Sequence, residues 1–449
     1  MGTFPLRLPI PGPLRSPYRS MAARINPDLT RSLRKWTRLC AWIGACSFSA
    51  VALADDAEVS GQLRGYWINR QTADTGPLAQ ANVLQPGTAA VDASTTTLQA
   101  ELRASSRLGP VSLHAIATAQ VQQMDGAGSD TKSTVNEAYA AGSALGWQWS
   151  AGKKIVSWDV GYGFRPNDLV QQEVRRTLVA ETLEGRPLLM AEHFDADTAW
   201  SLVWANPSNE RSDTGAQEAA LAARVYWRSG AVDWHGFARH GEHTGASVGA
   251  AASWVASDAV ELHASVRGYL HADSSLSTVT GNSLASSSPW RANLSDAGQQ
   301  LLVGGTWTSE SQLSLLVEAW HDGTALSDGQ WSAWTARNQA LPLWLARGVP
   351  AAAVAGNLAW QGKAFSVTNS LRQDNLFARL SWQLDRWQTA LDVLYTPADQ
   401  GLITTASAIW TGEHVKLEAG LRAHAGPEDA TVRQLPVQRQ GYVVATWAF

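Results

Sequence analysis

From residue 58 onward, the chain repeatedly alternates apolar and polar residues with a period of two. In the stretch LQAELRAS, Leu98, Ala100 and Leu102 share one face, whereas Glu101 and Arg103 belong to the other. The stretches VELHASVRGYL and VKLEAGLRAH, farther along the chain, repeat this pattern. Because successive side chains of a β-strand point to opposite faces, the pattern predicts strands with one apolar and one charged face.

The lengths of the alternating segments and of their connections distinguish a membrane barrel from a soluble sandwich. Transmembrane β-strands have about 9–11 residues, and short turns alternate with longer loops. We predict an all-β fold, a transmembrane antiparallel β-barrel of about 18 strands, at 58–70, 94–108, 110–123, 134–142, 145–156, 186–194, 197–206, 217–228, 231–240, 246–256, 259–271, 298–308, 311–321, 375–384, 387–396, 402–411, 414–424 and 440–449. Tight turns such as 108–110 alternate with long loops such as 157–185 and 322–374, which puts both termini on the periplasmic side. The segments 134–142 and 186–194 have the weakest pattern, so 16 strands remain an alternative.

Residues 1–54 have the features of a secretory signal peptide. Basic residues follow Met21, an apolar run extends from Leu39 to Leu53, and an A-x-A cleavage site ends at Ala54. The apolar run is too short to span a membrane. We therefore expect cleavage after Ala54 and a single barrel domain over 55–449, with an N-terminal anchor helix as the alternative.

Charge and tryptophan content limit the function classes. Residues 1–54 hold eight of the 35 Lys and Arg residues and one of the 39 Asp and Glu residues, so the remaining chain has a formal charge of −11. This charge argues against nucleic-acid binding, which requires a basic face. The chain has 22 Trp, and Trp is enriched at membrane interfaces. Cys40 and Cys46 both lie in the segment expected to be removed, so the mature chain has no thiol for a disulfide or a metal site.

The chain ends in GYVVATWAF, in which Gly441, Val443, Ala445, Trp447 and Phe449 share one face. This is the pattern of a final barrel strand with no tail after it. A terminal aromatic residue on an alternating strand is similar to the C-terminal signal of Gram-negative outer-membrane proteins. That similarity implies that Phe449 is read by the barrel-assembly machinery.

The polar face of the predicted strands carries charges of both signs. The side chains that we expect to line a pore are Arg64, Glu101, Arg103, Arg224, Glu261, Arg267, Glu318, Arg379, Asp392, Lys416, Glu418 and Arg422. Two facing rows of opposite sign would create a transverse field across a polar lumen. The alternative is that these groups form salt bridges that fill a closed barrel, but a barrel of about 18 strands is too wide for side chains alone to fill. We therefore predict an open or loop-constricted lumen.

The segment from Gly152 to Val170, GKKIVSWDVGYGFRPNDLV, runs from a strand into an aromatic, Gly-rich loop. It is similar to the loops that fold into the pores of porins. That similarity implies a constriction with selectivity carried by Lys153, Lys154, Arg165 and Asp168; the alternative is a loop packed on the rim. The longer loop 322–374 contains an apolar, partly helical stretch, which could plug the lumen or contact a partner.

No catalytic or metal-binding motif of the sequence stands in the structural context that it requires, and we expect no cofactor and no metal. His235, His240 and His243 cluster near a loop, but their spacing is not that of a metal site. One G-x-S-x-G match, from Gly245 to Gly249, coincides with the predicted strand 246–256 and not with a strand-to-helix turn, so it does not indicate a nucleophile elbow. Ser and His side chains can still meet in space, so an outer-membrane enzyme remains an alternative.

These features together resemble the Gram-negative outer-membrane β-barrel channels, in particular the porin-like and alginate-export-like groups. The features that carry the resemblance are the site ending at Ala54, the alternating strands, the segment 152–168 and Phe449. The resemblance implies passive passage of a small polar or charged solute, or export of a polysaccharide. It also implies outer-membrane lipid, lipopolysaccharide and the barrel-assembly machinery as partners, with no nucleic acid. An enzyme, or a structural or accessory barrel with a plugged lumen, is the alternative.

Overall fold

The computed structural model describes residues 57–449 except 126–127, 172–176, 181, 207–217, 280 and 367–368. The signal peptide expected over residues 1–54 and its cleavage site lie outside the described residues. The barrel is therefore described by itself.

Eighteen strands of the described residues form one antiparallel sheet. They are β1 Glu58–Thr72, β2 Ser94–Leu108, β3 Val111–Met124, β4 Gly128–Ala144, β5 Trp147–Lys154, β6 Arg186–Phe194, β7 Thr198–Ala205, β8 Ala220–Ser229, β9 Val232–Gly241, β10 Gly245–Ser257, β11 Val260–Tyr269, β14 Gly298–Thr308, β15 Leu313–Asp322, β16 Asp374–Leu384, β17 Trp387–Thr396, β18 Gly401–Thr411, β19 Val415–Ala425 and β20 Val437–Ala448. Each strand pairs with the next, and β11 pairs with β14 because β12 Asp273–Ser277 and β13 Trp290–Leu294 form a separate hairpin.

The barrel is closed by pairing between its first and last strands. Arg64 of β1 lies opposite Thr446 of β20, and the register runs from Gln62 to Thr72. Closure leaves no sheet edge along the seam, so the backbone groups of both strands are paired. The predicted 18-stranded barrel is therefore confirmed, and the 16-stranded alternative is wrong. Both weakly patterned segments are strands, and β4 extends six residues before the predicted start at residue 134.

The two ends of the barrel differ in their connections. At one end, here called the turn end, strands are joined by short turns such as Leu145-Gly146, where positive φ angles of 53° and 80° reverse the chain tightly. The opposite end, here called the loop end, carries the long connections. The alternation agrees with the predicted pattern. Both Glu58, at the start of β1, and Phe449 lie at the turn end.

The outward face of the strands is apolar and exposed. It includes Leu98, Leu262, Val303 and Leu417. Exposed Trp side chains concentrate close to the turn end, at Trp147, Trp200, Trp227, Trp234, Trp254, Trp307, Trp382, Trp387 and Trp447. An apolar band bordered by aromatic side chains is the outer surface that a lipid bilayer requires.

Helices occur within the long loops. They are α1 Pro77–Leu84, α2 Asp328–Ala340 and α3 Ala351–Trp360, with 3-10 turns at Leu341–Arg347, Gln361–Ser366 and Thr431–Gln434. The apolar stretch of the loop 322–374 therefore is partly helical, as predicted, whereas α1 and the β12–β13 hairpin had no clear sequence signal. Among the described residues, no helix is long and apolar enough to cross a membrane.

Candidate functional site: the barrel lumen

A loop crosses the interior of the barrel. The connection between β5 and β6, residues 155–185, contacts both β2 and β15, which are seven strands apart along the shorter way round an 18-stranded barrel. Thr182 Oγ1 donates to Glu101 Oε2 of β2 at 2.5 Å, whereas the backbone N–H groups of Tyr162 and Gly163 donate to Glu318 of β15 at 2.7 and 2.6 Å. A segment that reaches both walls must traverse the lumen. We call the described residues of this connection, 155–171, 177–180 and 182–185, the lumen loop.

The first half of the lumen loop packs on the wall formed by β6–β10 and β14–β16. Trp158 and Val170 join a buried apolar cluster with Leu188 and Phe237 of the wall. Farther along the loop, the ring of Phe164 stacks on Trp320 with centroids 5.7 Å apart. The loop thereby covers the inward side chains Leu188, Phe237 and Trp320.

A knot of hydrogen bonds fixes this half. The buried Asp159 carboxylate accepts from Ser265 Oγ of β11 at 2.8 Å and from the Asn167 N–H. Asn167 Nδ2 donates in turn to Ser265 Oγ at 2.8 Å and to the Val266 carbonyl at 3.0 Å. Burial raises the pKa of Asp159, and the hydrogen bonds from Asn167 and Ser265 oppose this effect. The knot joins the loop to β11 through side chains and backbone together.

Arg165 and Asp168, both expected to carry selectivity, belong to this knot. Arg165 Nε lies 3.3 Å from Asp168 Oδ2, and the two side chains are 8% and 1% exposed. Asp168 also accepts from the Trp158 N–H at 2.9 Å, while burial raises its pKa and Arg165 opposes the rise. Neither side chain therefore is open to a passing solute. An irregular loop leaves backbone groups without secondary-structure partners: the Trp158 and Asp159 N–H groups donate to the Asp168 carboxylate, and Arg165 donates to the Asp159 carbonyl.

The close approach of the loop to Glu318 explains one of its glycines. A Cβ atom on Gly163 would lie 2.9 Å from Glu318 Oε2. Only a residue without a side chain lets the backbone approach the carboxylate so closely. Glu318 is 0% exposed and also accepts from His263 Nε2 at 2.9 Å, with Glu261 3.7 Å from the same ring.

The second half of the lumen loop packs on the wall near the barrel seam. Val179 is buried against Tyr442 and Val444 of β20. Arg64 of β1 donates to the Ala180 carbonyl, and Lys153 Nζ lies 2.5 Å from Glu184 Oε1. Lys153 and Arg64 therefore hold the loop to the wall.

The lumen loop reaches β16, where the Arg379 guanidinium lies 5.5 Å from the Tyr162 ring centroid, and it leaves the inner face of β17–β19 uncovered. Arg379 and Asp392 are 21% and 25% exposed, and Lys416 is 47% exposed, although all three point inward. Glu101 and Glu318, beneath the loop, are buried. Charged side chains that keep solvent contact inside a barrel mark the open part of the lumen.

Opposite charges on the inner wall are neighbours. Arg379 Nη1 lies 2.8 Å from Asp392 Oδ1 on the adjacent strand. The other close pairs are Arg103 with Glu101 at 2.7 Å and Lys416 with Glu418 at 3.7 Å. The prediction of two facing rows of opposite sign is therefore wrong for these residues. Alternation fixes which face a side chain occupies, but cross-strand and same-strand neighbours are near enough to pair first.

The remaining inward arginines contact hydroxyl, imidazole or carbonyl groups. Arg422 Nε donates to Thr405 Oγ1 at 2.9 Å, and Tyr442 donates to Glu418 at 2.8 Å. Arg224 lies 3.2 Å from His235 Nδ1. Arg267 is partly covered by the lumen loop, with 3.5 Å from its Nη1 to the Pro166 carbonyl.

Two further inward arginines were not singled out from the sequence. Arg239 of β9 is 2.7 Å from Glu218, and both side chains are buried. Arg186, the first residue of β6, is also buried. Both follow the same alternation as the predicted wall residues, so strand parity alone could have found them. Lys154, expected in the constriction, lies over the Tyr139 ring at 5.3 Å, on the wall between the loop and the turn end.

The loop 322–374 packs on other loops of the same chain at the loop end. Leu341, Val354 and Leu358 form a buried cluster with Ala81 of α1. Arg337 donates to the Gly281 and Ser283 carbonyls at 2.8 and 2.9 Å. These contacts connect loops that follow β1, β11 and β15, and we call this group of loops the cap.

The His residues considered for a metal do not form a shared site in the described part of the chain, where three or more His, Cys, Asp or Glu residues never meet in a metal-binding arrangement. Phe449, the expected assembly signal, continues the pairing of β20 with β1. Its N–H donates to the Gly61 carbonyl at 2.9 Å, and its ring lies 5.1 Å from that of Trp447.

Comparison with known proteins identifies the fold. No family model matches the chain, and no curated protein matches it either. Among solved structures, the chain is similar to Pseudomonas aeruginosa OccK5 (OpdH), with a TM-score of 0.52 at 9% identity over 88% of this chain and 98% of that chain. It is also similar to Acinetobacter baumannii OccAB1, with a TM-score of 0.51 at 9% identity over 88% of this chain and 97% of that chain. The chain therefore has the fold of these two proteins, a closed antiparallel β-barrel.

Proposed function

We propose that the protein is a channel of the outer membrane through which small polar solutes pass passively along the wall formed by β16–β19. The observation that carries the proposal is the exposure of Arg379, Asp392 and Lys416 inside a closed barrel whose remaining lumen is crossed by a loop. Burying charges without water is costly, so a solvated passage accounts for their exposure. The likeness of the fold to OccK5 and OccAB1 supports a channel for small solutes.

Small solutes fit this lumen better than a polymer does. The lumen loop is fixed at Glu318 on one wall and at Glu101 on another, with further contacts along its length. A polysaccharide in transit would have to thread past this fixed loop. We therefore favour uptake of small solutes over polysaccharide export.

The charges along the passage argue for weak ion selectivity. Arg379 and Asp392 neutralise one another at 2.8 Å, and Glu418 lies near Lys416 and Tyr442. Arg422 adds one positive charge next to the first pair. These charges together favour passage of polar and zwitterionic solutes, or a mild preference for anions, and not strong selection of anions or of cations.

The apolar outer surface of the barrel supports residence in the outer membrane. The exposed apolar band matches lipid, with lipopolysaccharide expected around the loop end. The pairing of Phe449 with Gly61 leaves its aromatic ring at the turn end, in the position expected of a signal for the barrel-assembly machinery. We take the turn end to face the periplasm.

Catalysis is the less favoured alternative. An enzyme would need a nucleophile, a base and a carboxylate in mutual contact near an opening. The buried His263 contacts two carboxylates, those of Glu261 and Glu318. These contacts include no hydroxyl or thiol nucleophile among the described residues. Glu318 is committed to the lumen loop, which supports a structural role for the group.

Reconstitution in a planar bilayer tests the proposal. Protein purified from outer membranes should give discrete ohmic current steps, and the reversal potential in a salt gradient should show only a small preference for one sign. Heat-modifiable, folded protein that conducts no current would refute an open channel. It would favour a plugged barrel or a non-transport role.

A further inference from the structure

A polar strip lies on the inner wall between the lumen loop and the turn end. It consists of two neighbouring niches of about 430 and 190 Å³, formed by β1–β6, and His114 lines both of them. The larger niche extends from the turn after β2, at Gly109, up to Lys154, where the lumen loop begins. We call these niches the vestibule strip. None of the roles described above for the passage along β16–β19 uses it.

The charges of the vestibule strip balance. Its positive side chains are Arg103, Arg107 and Lys154, and its negative side chains are Glu58, Glu137 and Glu192. A strip with three charges of each sign has no net preference for an anion or a cation. Its hydrogen-bonding capacity remains, because the larger niche also presents hydroxyl and amide groups from Ser112, Gln148 and Ser150.

Aromatic rings meet these polar groups at the boundary between the niches. The rings of His114 and Tyr139 stack with centroids 4.9 Å apart and an interplanar angle of 21°. Lys154 Nζ lies 5.3 Å from the Tyr139 ring centroid and donates to Ser150 Oγ at 3.3 Å. The ammonium group is thereby held at the upper edge of the larger niche, next to the aromatic pair.

We propose that the vestibule strip is a binding site for a neutral saccharide. The planar groups of Arg107, Gln148 and Glu192 can each pair with two adjacent hydroxyls of a sugar. The guanidinium of Arg107 would donate to both hydroxyls, the amide of Gln148 would donate to one and accept from the other, and the carboxylate of Glu192 would accept from both. The C–H face of a sugar ring can pack on His114, whose imidazole borders both niches. A volume of about 430 Å³ lies in the range of small-molecule sites.

The position of the strip gives the site its role. A solute that has passed the lumen loop reaches the turn end next, and the strip offers hydrogen bonds in place of water on that side. This part of the inference rests on the proposed channel function, because only a conducting barrel delivers solute to the strip from outside. Binding itself does not need conduction.

Saturation-transfer NMR with glucose tests binding in the detergent-solubilised full chain. Arg107→Ala and Gln148→Ala should each raise the dissociation constant about five- to tenfold, the effect of losing one or two hydrogen bonds. Arg386→Ala is the matched control, since Arg386 also lies in a turn at the turn end, between β16 and β17, and is outside both niches. Heat-modifiability on gels shows whether each variant is a folded barrel.

The outcomes separate the site from the channel. Glucose binding that weakens in the first two variants and not in the control supports the site, even if no current is measured in bilayers. Absence of glucose binding by a folded, conducting barrel overturns the site and leaves the channel in place. Acetate bound as tightly as glucose, with equal sensitivity to Arg107→Ala, also overturns it, because the strip would then be an anion site.

Discussion

Replacing Glu318 by Ala should release the segment of the lumen loop around Tyr162 and Gly163 from the wall. The carboxylate is fully buried and accepts two loop N–H groups at 2.7 and 2.6 Å, from Tyr162 and Gly163. Hydrogen bonds to a charged group contribute about 1.5–3 kcal/mol each, so the two bonds together stabilise the docked loop by about 3–6 kcal/mol. That free energy corresponds to a change of roughly 10² to 10⁴ in the ratio of docked to released loop.

Single-channel recording measures the consequence. We expect a larger conductance with frequent transitions between levels, because the released segment can leave the lumen while the Asp159 knot and the second half stay attached. Glu261→Ala is the control, since Glu261 is partly exposed and contacts His263 without touching the loop. Unchanged conductance of a folded Glu318→Ala barrel would refute the reasoning that this carboxylate holds the constriction.

Four further predictions follow from other contacts. Arg379→Ala should shift the reversal potential towards cation preference and Asp392→Asn towards anion preference, because each substitution leaves its exposed partner unpaired at 2.8 Å; equal potentials in both variants would contradict a passage along this wall. Deletion of Phe449 should lower the amount of folded barrel in outer membranes severalfold relative to a Trp447→Phe control, measured by heat-modifiability. Arg337→Ala should expose the cap to limited proteolysis, since it removes the bonds to the Gly281 and Ser283 carbonyls; the conductance should change less than the cleavage rate. Burial opposes ionisation of Glu218, but hydrogen bonds from Thr244, His243 and Arg239 lower its pKa to about 2. The ionised carboxylate should therefore stabilise the loop end fully at pH values above its ordinary pKa of 4.5 and lose that contribution as the pH falls towards 2. Hydrogen exchange at the Thr244 amide should show continued protection from pH 7 to pH 3.

Much of the fold could be predicted because the alternation of apolar and polar residues within each barrel strand marks where that strand lies in the sequence. The segments predicted at 94–108, 186–194, 298–308 and 387–396 coincide with β2, β6, β14 and β17. Alternation needs only local sequence, and the membrane imposes it on every strand. β4 begins before its predicted start because its first residues rise beyond the apolar band, where both faces are polar and the period carries no information.

The lumen loop shows where local sequence stops being informative. Its tendency to enter the barrel could be inferred from its aromatic, Gly-rich composition. The functions of Arg165 and Asp168 could not, since a charged residue in a loop has the same sequence signature whether it faces water or a buried backbone. What decides between the two is the contact with Ser265, about a hundred residues away, which brings the knot under the cover of β11.

The same distinction governs the charged wall. Strand parity establishes that Glu101, Glu318 and Asp392 all point inward, yet only Asp392 remains partly solvated, because the lumen loop covers the other two. The electrostatics of the passage therefore depend on the loop more than on the number of charges on the strands. A covered carboxylate acts as a hydrogen-bond acceptor that holds the constriction, whereas an uncovered one contributes to the field that a solute experiences. For this reason, the substitutions at Glu318 and at Asp392 should differ in kind, the first changing the size of the passage and the second its ion preference.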